Sequence, residues 1–361
     1  MSITNSQASP AIDLPSFAPQ MQNRCRSFLE RELARHRGHS ALSAFAQIVT
    51  PYVTEGKTLR ALGVSVGAAV ASGAELGTDQ IALDLGLALE LYQGSALIHD
   101  DFIDQAPMRR GQPSAHVRAT TLLPHSAAVP TAILAGDYLL SLTHLATSEA
   151  LAHCDRSVQY RVGRYLADIT AEVAWGQYLD VLTGTADLGD PRSLQQHVME
   201  VIAVKAGNYS VMRPLLLGAL IHTGREEVLA PLQMAGHNWG LAFQLRDDAL
   251  DFAKASKATG KRRGTDMREG KRTVLLALTL QHADPYDRME ILQALGNPQL
   301  TDSDIESIYQ IMLRSGAWEE HEALISKLSK QGQEALTGSP LSDSALNLLQ
   351  DYAKLLLERE Y

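Results

Sequence analysis

With 361 residues, 45% hydrophobic and 20% charged, the chain has the make-up of a packed protein of one large or two ordinary domains, which excludes a disordered one. Its formal net charge of -9, with no long Lys/Arg stripe, excludes nucleic acid as a partner but leaves anionic small molecules open to locally placed cations. Cys25 and Cys154 lie far apart without metal-ligand spacing, which excludes a disulfide framework or zinc site and fits a reducing, cytoplasmic setting.

Residues 1–20 carry Pro10, Pro15 and Pro19 among Ser, Thr and Asn, with neither a basic start nor a long apolar run. They read as a mobile tail rather than a signal peptide or membrane anchor, ahead of a single domain over 21–361. Beyond Gln20, apolar residues recur at spacings of three and four, and no stretch alternates long enough for a strand. The pattern predicts an all-α fold of roughly a dozen helices, punctuated at Pro51, Gly77, Pro107 to Pro113, Pro124, Gly224, Pro285 and Gly338. Asp190 with Pro191, and Thr301 with Asp304, read as capped helix starts. Gly207 and Pro214 predict a bend within 193–223.

The charged motifs follow the same order. EGKTLR sets Lys57 and Arg60 three apart, on one face if helical, with Gly56 permitting close approach of backbone. LIHDDFID carries Asp100, Asp101 and Asp104, and FQLRDDALD carries Asp247, Asp248 and Asp251. On a helix, positions i and i+4 of each DDxxD share a face and i+1 sits on its flank. Such carboxylates repel by ~0.2–0.5 kcal/mol per exposed pair, and hard dications such as Mg²⁺ offset that. One DDxxD also fits a solvated acidic face; two copies set in apolar sequence favour a metal site. Cations follow both clusters, Arg109 and Arg110 after the first, Lys261 and Lys271 on a Gly-rich loop after the second. Arg262 and Arg263 read as facing solvent.

GKTLR, LYQGSALIHDDFIDQAPMRRG, GDYLL, GQYLD, KAGNYSVMRPLLLGAL, FQLRDDALDF and GKRRGTDMREGKRT, in that order, resemble the trans-isoprenyl diphosphate synthases, the polyprenyl synthetase family, over nearly the whole chain from about Gln20. The resemblance implies a single large helical bundle around a central cavity, usually homodimeric and without a stable membrane anchor. It implies that Asp100, Asp101, Asp104 and Asp247, with Asp248 and Asp251 of the second cluster, hold the allylic diphosphate through a cluster of three Mg²⁺. Arg109, Lys205, Lys261 and Lys271 would assist. Lys57, Arg60, Gln93 and Arg110 would hold isopentenyl diphosphate, and Gln177 and Gln244 would line the reacting region. Three departures stand out: GKTLRA in place of GKRxRP, Ala206 in place of the threonine after Lys205, and an arginine-rich 261–271 loop.

Product length depends on what blocks the cavity below Asp100. One turn down are the small Ser95 and Ala96; Tyr92, a further turn down, is the first bulky floor, although it also fits an ordinary core aromatic. With that floor the expected product is geranylgeranyl diphosphate, with farnesyl or longer products as alternatives. A class I terpene cyclase would need no GKTLR group, and a non-catalytic partner subunit would lack an aspartate or the Arg109 and Arg110 pair.

Overall fold

The computed structural model describes residues 12–252 and 263–358. The chain runs α1 (Leu14–Leu33), a short 3₁₀ turn (Ala34–His36), α2 (Leu42–Thr54), α3 (Leu59–Ser72), α4 (Gln80–Ile103), α5 (Ala115–Leu122), α6 (His125–Leu151), α7 (Arg156–Thr183) and α8 (Pro191–Ile202). A π-helical segment (Ala203–Met212) leads into α9 (Arg213–His222), α10 (Glu226–Leu250), α11 (Thr265–Glu269), α12 (Val274–His282), α13 (Pro285–Ala294), α14 (Asp302–Arg314), α15 (Ala317–Glu334) and α16 (Asp343–Leu357).

The first helix shortens the expected tail. Asp13 accepts the Ser16 amide at 3.1 Å and Pro15 sits in the first turn, where its missing N–H costs nothing, so residues 14–20 are helical. Two other capped starts form as the sequence indicates: Asp190 accepts the Ser193 amide, and Thr301 with Asp304 makes a reciprocal capping box. The all-α expectation needs one small amendment. Met108–Arg109 pairs antiparallel with Gln112–Pro113, closed by Arg110 and Gly111 at φ 52° and 74°, the left-handed pair that a tight hairpin turn requires.

Helix α4 runs through the middle of the bundle, packed against α6 and α3, with Leu85, Leu89, Leu91 and Ile98 fully buried. It is the one described helix long and apolar enough to span a membrane, yet 61% of its apolar window is buried inside the protein, as befits a core helix. The expected bend is a π segment that begins at Ala203, with Pro214 in the first turn of α9. Glycines clamp this segment. A Cβ on Gly240 of α10 would lie 2.2 Å from the Gly207 carbonyl oxygen, and one on Gly176 of α7 would lie 2.6 Å from the Lys205 Cα. Backbone therefore meets backbone on both sides, which fixes the height of Lys205 in the bundle.

Candidate active site

Both aspartate clusters stand at helix C-termini. Asp104 is the last-turn cap of α4 and Asp251 that of α10, and neither helix has a basic residue in its last turn. Carboxylates at the negative end of a helix dipole are disfavoured, so cations from elsewhere must answer them.

In each cluster the second aspartate turns inward. Asp101 is fully buried; Tyr52 Oη donates to it at 2.7 Å and Arg109 Nε at 2.7 Å. Asp248, 3% exposed, accepts from Gln244 Nε2 at 2.9 Å and from Lys271 Nζ at 3.4 Å. Burial, with Asp266 nearby and only partly offset by Lys271, pushes the Asp248 carboxyl up to about 6. Asp251 also engages the backbone beyond its helix. Its two oxygens accept the amides of Thr265 and Asp266, so it anchors the start of α11.

Asp100, Asp104 and Asp247 remain on the open side. Burial pushes Asp100 up, but Lys205 and then Arg109 outweigh it and hold the carboxyl below its ordinary value. Lys205 Nζ lies 3.1 Å from Asp100 and 2.5 Å from Asp180 of α7. Asp104 loses part of its hydration beside Asp100, and the two effects raise it to about 6. Lys271 ties the clusters together: Asp266, Asp248, Asp180 and Asp247 outweigh burial and raise it well above the usual lysine value, while the same ammonium acts on Asp100. The helix ends therefore converge on one basin, although no three described acids are close enough to form a ready-made metal centre.

A second group of cations lies at the start of α3. Lys57 is not helical, because Gly56 and Thr58 take positive φ (125° and 50°) and the helix opens only at Leu59. Arg110 donates to the Glu55 carbonyl and presses its guanidinium on Gly56, where a Cβ would sit 2.7 Å from Nη2. Arg60 donates to Ser210 Oγ at 2.8 Å and lies 4.4 Å above the Tyr209 ring. Gln93 Oε1 and Gln177 Nε2 are buried without a protein partner, as expected of groups reserved for a ligand.

Tyr92, eight residues below Asp100, is rigidly held. Its Oη donates to the Thr170 carbonyl at 3.1 Å and its ring meets Tyr209 edge-on at 5.5 Å. Ser95 is buried and Ala96 half-buried. Lys261 and Arg262 lie outside the described residues. Arg263, expected in solvent, instead donates to the Phe252 carbonyl and pairs with Glu306 at 2.6 Å.

Sequence reasoning passed over Tyr52, Asp180 and Asp266. Asp180 could have been found, since it falls three residues after Gln177 on the same face of α7. Tyr52 and Asp266 carry no local signal, as their partners are distant in the chain or belong to a turn.

A helical bundle that brings two acidic helix ends together with lysines and an arginine has the make-up of an enzyme that binds a metal-held diphosphate. The polyprenyl synthetase family model matches residues 43–312, and the chain belongs to that family. It is similar in structure to the geranylgeranyl pyrophosphate synthase of Corynebacterium glutamicum complexed with isoprenyl diphosphate and magnesium, at 32% identity and a TM-score of 0.86, covering 97% of this chain and 100% of that one. Relatives include a geranylgeranyl diphosphate synthase of Saccharolobus solfataricus, 28% identical over 311 residues (85% of this chain, 88% of the relative). A geranylfarnesyl diphosphate synthase of Natronomonas pharaonis is 31% identical over 286 residues (79% and 77%). The chain is a prenyltransferase of isoprenoid biosynthesis.

Proposed function

We propose that this enzyme adds isopentenyl diphosphate to an allylic diphosphate head-to-tail, with three Mg²⁺, and releases geranylgeranyl diphosphate. The observation that carries the reading is the convergence of the α4 and α10 aspartates on Lys205 and Lys271. The donors fit Mg²⁺. Hard carboxylate oxygens of Asp100, Asp104 and Asp247 stand at negative helix ends, and the crowding that raises Asp104 is what a hard dication relieves. When bound, Mg²⁺ supplies Lewis-acid stabilisation of the departing diphosphate.

The protein's own groups do the rest. Lys205, Arg109 and Lys271 take up negative charge as the allylic C–O bond breaks, and Lys261 joins them by the family resemblance. Lys57, Arg60, Gln93 and Arg110 hold isopentenyl diphosphate so that its double bond attacks the allylic cation. Gln177 and Gln244 border the reacting carbons. The apolar walls of α4, α7 and the π segment exclude water that would quench the cation. A proton then passes to the released diphosphate from the carbon next to the resulting tertiary cation, and the C–H electron pair forms the new double bond.

Tyr92, held about 12 Å below Asp100 by the helical rise, supports a twenty-carbon stop. The exposed Ile133 and Leu134 of α6 and Trp175, Tyr178 and Leu182 of α7 support a homodimer. The two unpaired cysteines suit the cytoplasm. The test is purified enzyme with labelled isopentenyl diphosphate and ten- and fifteen-carbon primers, with Mg²⁺ and with chelator. Metal-dependent twenty-carbon diphosphate is expected. Hydrocarbon or alcohol from the allylic primer alone would replace this reading with a cyclase.

A further inference from the structure

We propose that Tyr352, on the C-terminal helix α16, is a positioning residue of the isopentenyl diphosphate site, acting through Arg60; this rests on the assignment of Arg60 to that site. Tyr352 is fully buried and its Oη has no protein partner. The hydroxyl is aimed at α3, where a Cβ on Gly63 would lie 2.7 Å from it, so only glycine there lets the phenol approach. Arg60 precedes Gly63 by three residues and so occupies the same face of α3, one turn nearer the helix start. Burial pushes the Tyr352 phenol above its ordinary value, and the positive charge of Arg60 pulls it back, which places the two within electrostatic reach.

Arg60 itself is only partly held. One guanidinium nitrogen has Ser210 and the plane has Tyr209, but Nε is buried without a protein partner, as is Tyr209 Oη. Two hydroxyls on two other elements, Tyr352 Oη of α16 and Tyr209 Oη of the π segment, are thus left buried and unpaired along with the guanidinium's own Nε. Buried groups of this kind are ordinarily joined by a bound water, which needs two to four such partners. A hydrogen-bond chain through water from Tyr352 and Tyr209 to Nε would fix the angle at which Arg60 meets the diphosphate. It would also tie the last helix of the chain to the second-substrate site.

The test is Tyr352→Phe, alone and in an Arg60→Ala background. In the native background KM for isopentenyl diphosphate should rise about fivefold or more, with kcat and the allylic KM within about twofold. Thermal stability should change little, because the ring and its packing stay. In the Arg60→Ala background the change should add nothing. An unchanged KM for isopentenyl diphosphate in Tyr352→Phe, or the same rise in both backgrounds, overturns the inference while leaving the enzyme's assignment intact. A wild-type protein that consumes no isopentenyl diphosphate overturns both.

Discussion

Replacing Tyr52 with Phe removes one oxygen that serves two partners. Tyr52 is 6% exposed; its Oη donates to Asp101 at 2.7 Å and accepts the Ala115 amide at 2.8 Å, joining α2 to α4 and α5. Asp101 has no exposure and would lose a charge-assisted bond, at about 1.5–3 kcal/mol. The buried first amide of α5 would lose its acceptor, at a further ~1–3 kcal/mol less whatever relaxation recovers. A net loss of about 3 kcal/mol is expected, read as a lower urea midpoint at unchanged slope. Tyr92→Phe is the internal control. Its hydroxyl makes one bond to a neutral carbonyl, so about 1 kcal/mol is expected there. Catalysis should suffer less than stability, because Arg109 still holds Asp101 through Nε. A Tyr52→Phe loss under about 1 kcal/mol, or one equal to the control, would refute the claim that this hydroxyl fixes the first aspartate cluster.

Tyr92→Ala should shift the product profile beyond twenty carbons in a radiolabelled chain-length assay, and an unchanged profile removes Tyr92 as the floor. Gly240→Ala forces a methyl into the Gly207 carbonyl and should cost about 3 kcal/mol in urea unfolding while lowering kcat by displacing Lys205; a loss under about 1 kcal/mol would mean that the glycine clamp is unnecessary. His321 is fully buried, and burial holds its imidazole down to about 4 despite Glu322. Because the unfolded chain takes up the proton first, stability should fall as pH drops from about 6.5 toward 4, by about 2 kcal/mol between pH 7 and 5. His321→Leu should remove that part of the slope, and identical slopes would refute it.

The helical fold and the acidic motifs were readable because both are periodic and local. The 3.6-residue pattern marks α4 and α10, and DDxxD places carboxylates on one helical side whatever lies opposite. Capping was readable for the same reason, as Asp190 and Thr301 act within three residues. What could not be read depends on chain segments that meet only in space. Nothing near Lys205 tells that Asp180 will meet it, and nothing in KAGNYSVMRP distinguishes a proline bend from a π segment. That outcome is set by Gly176 and Gly240 on other helices, whose missing side chains admit the widened turn. Lys57 and Arg60 would share a face only on a common helix, and Gly56 and Thr58 delay the helix until Leu59.

The two DDxxD clusters are alike in more than sequence. In each, the inner aspartate takes a cation from a connection further along the chain: Arg109 from the hairpin after α4, Lys271 from the turn after α11. Each connection is thereby tied back to an acidic helix, and its cation is held at the basin by the inner carboxylate. The outer aspartates then face a site whose positive charge is already in place. Lys205 spans Asp100 and Asp180, so two carboxylates share one ammonium and the basin is net acidic before any substrate arrives. The outer carboxylates would hold Mg²⁺ there, and the diphosphate it carries would meet the ammonium and guanidinium groups of Lys205, Lys271 and Arg109. On this argument the inner aspartates are as necessary as the outer ones, but for holding the cations. Their asparagine variants should therefore lose affinity for diphosphate even where metal affinity survives.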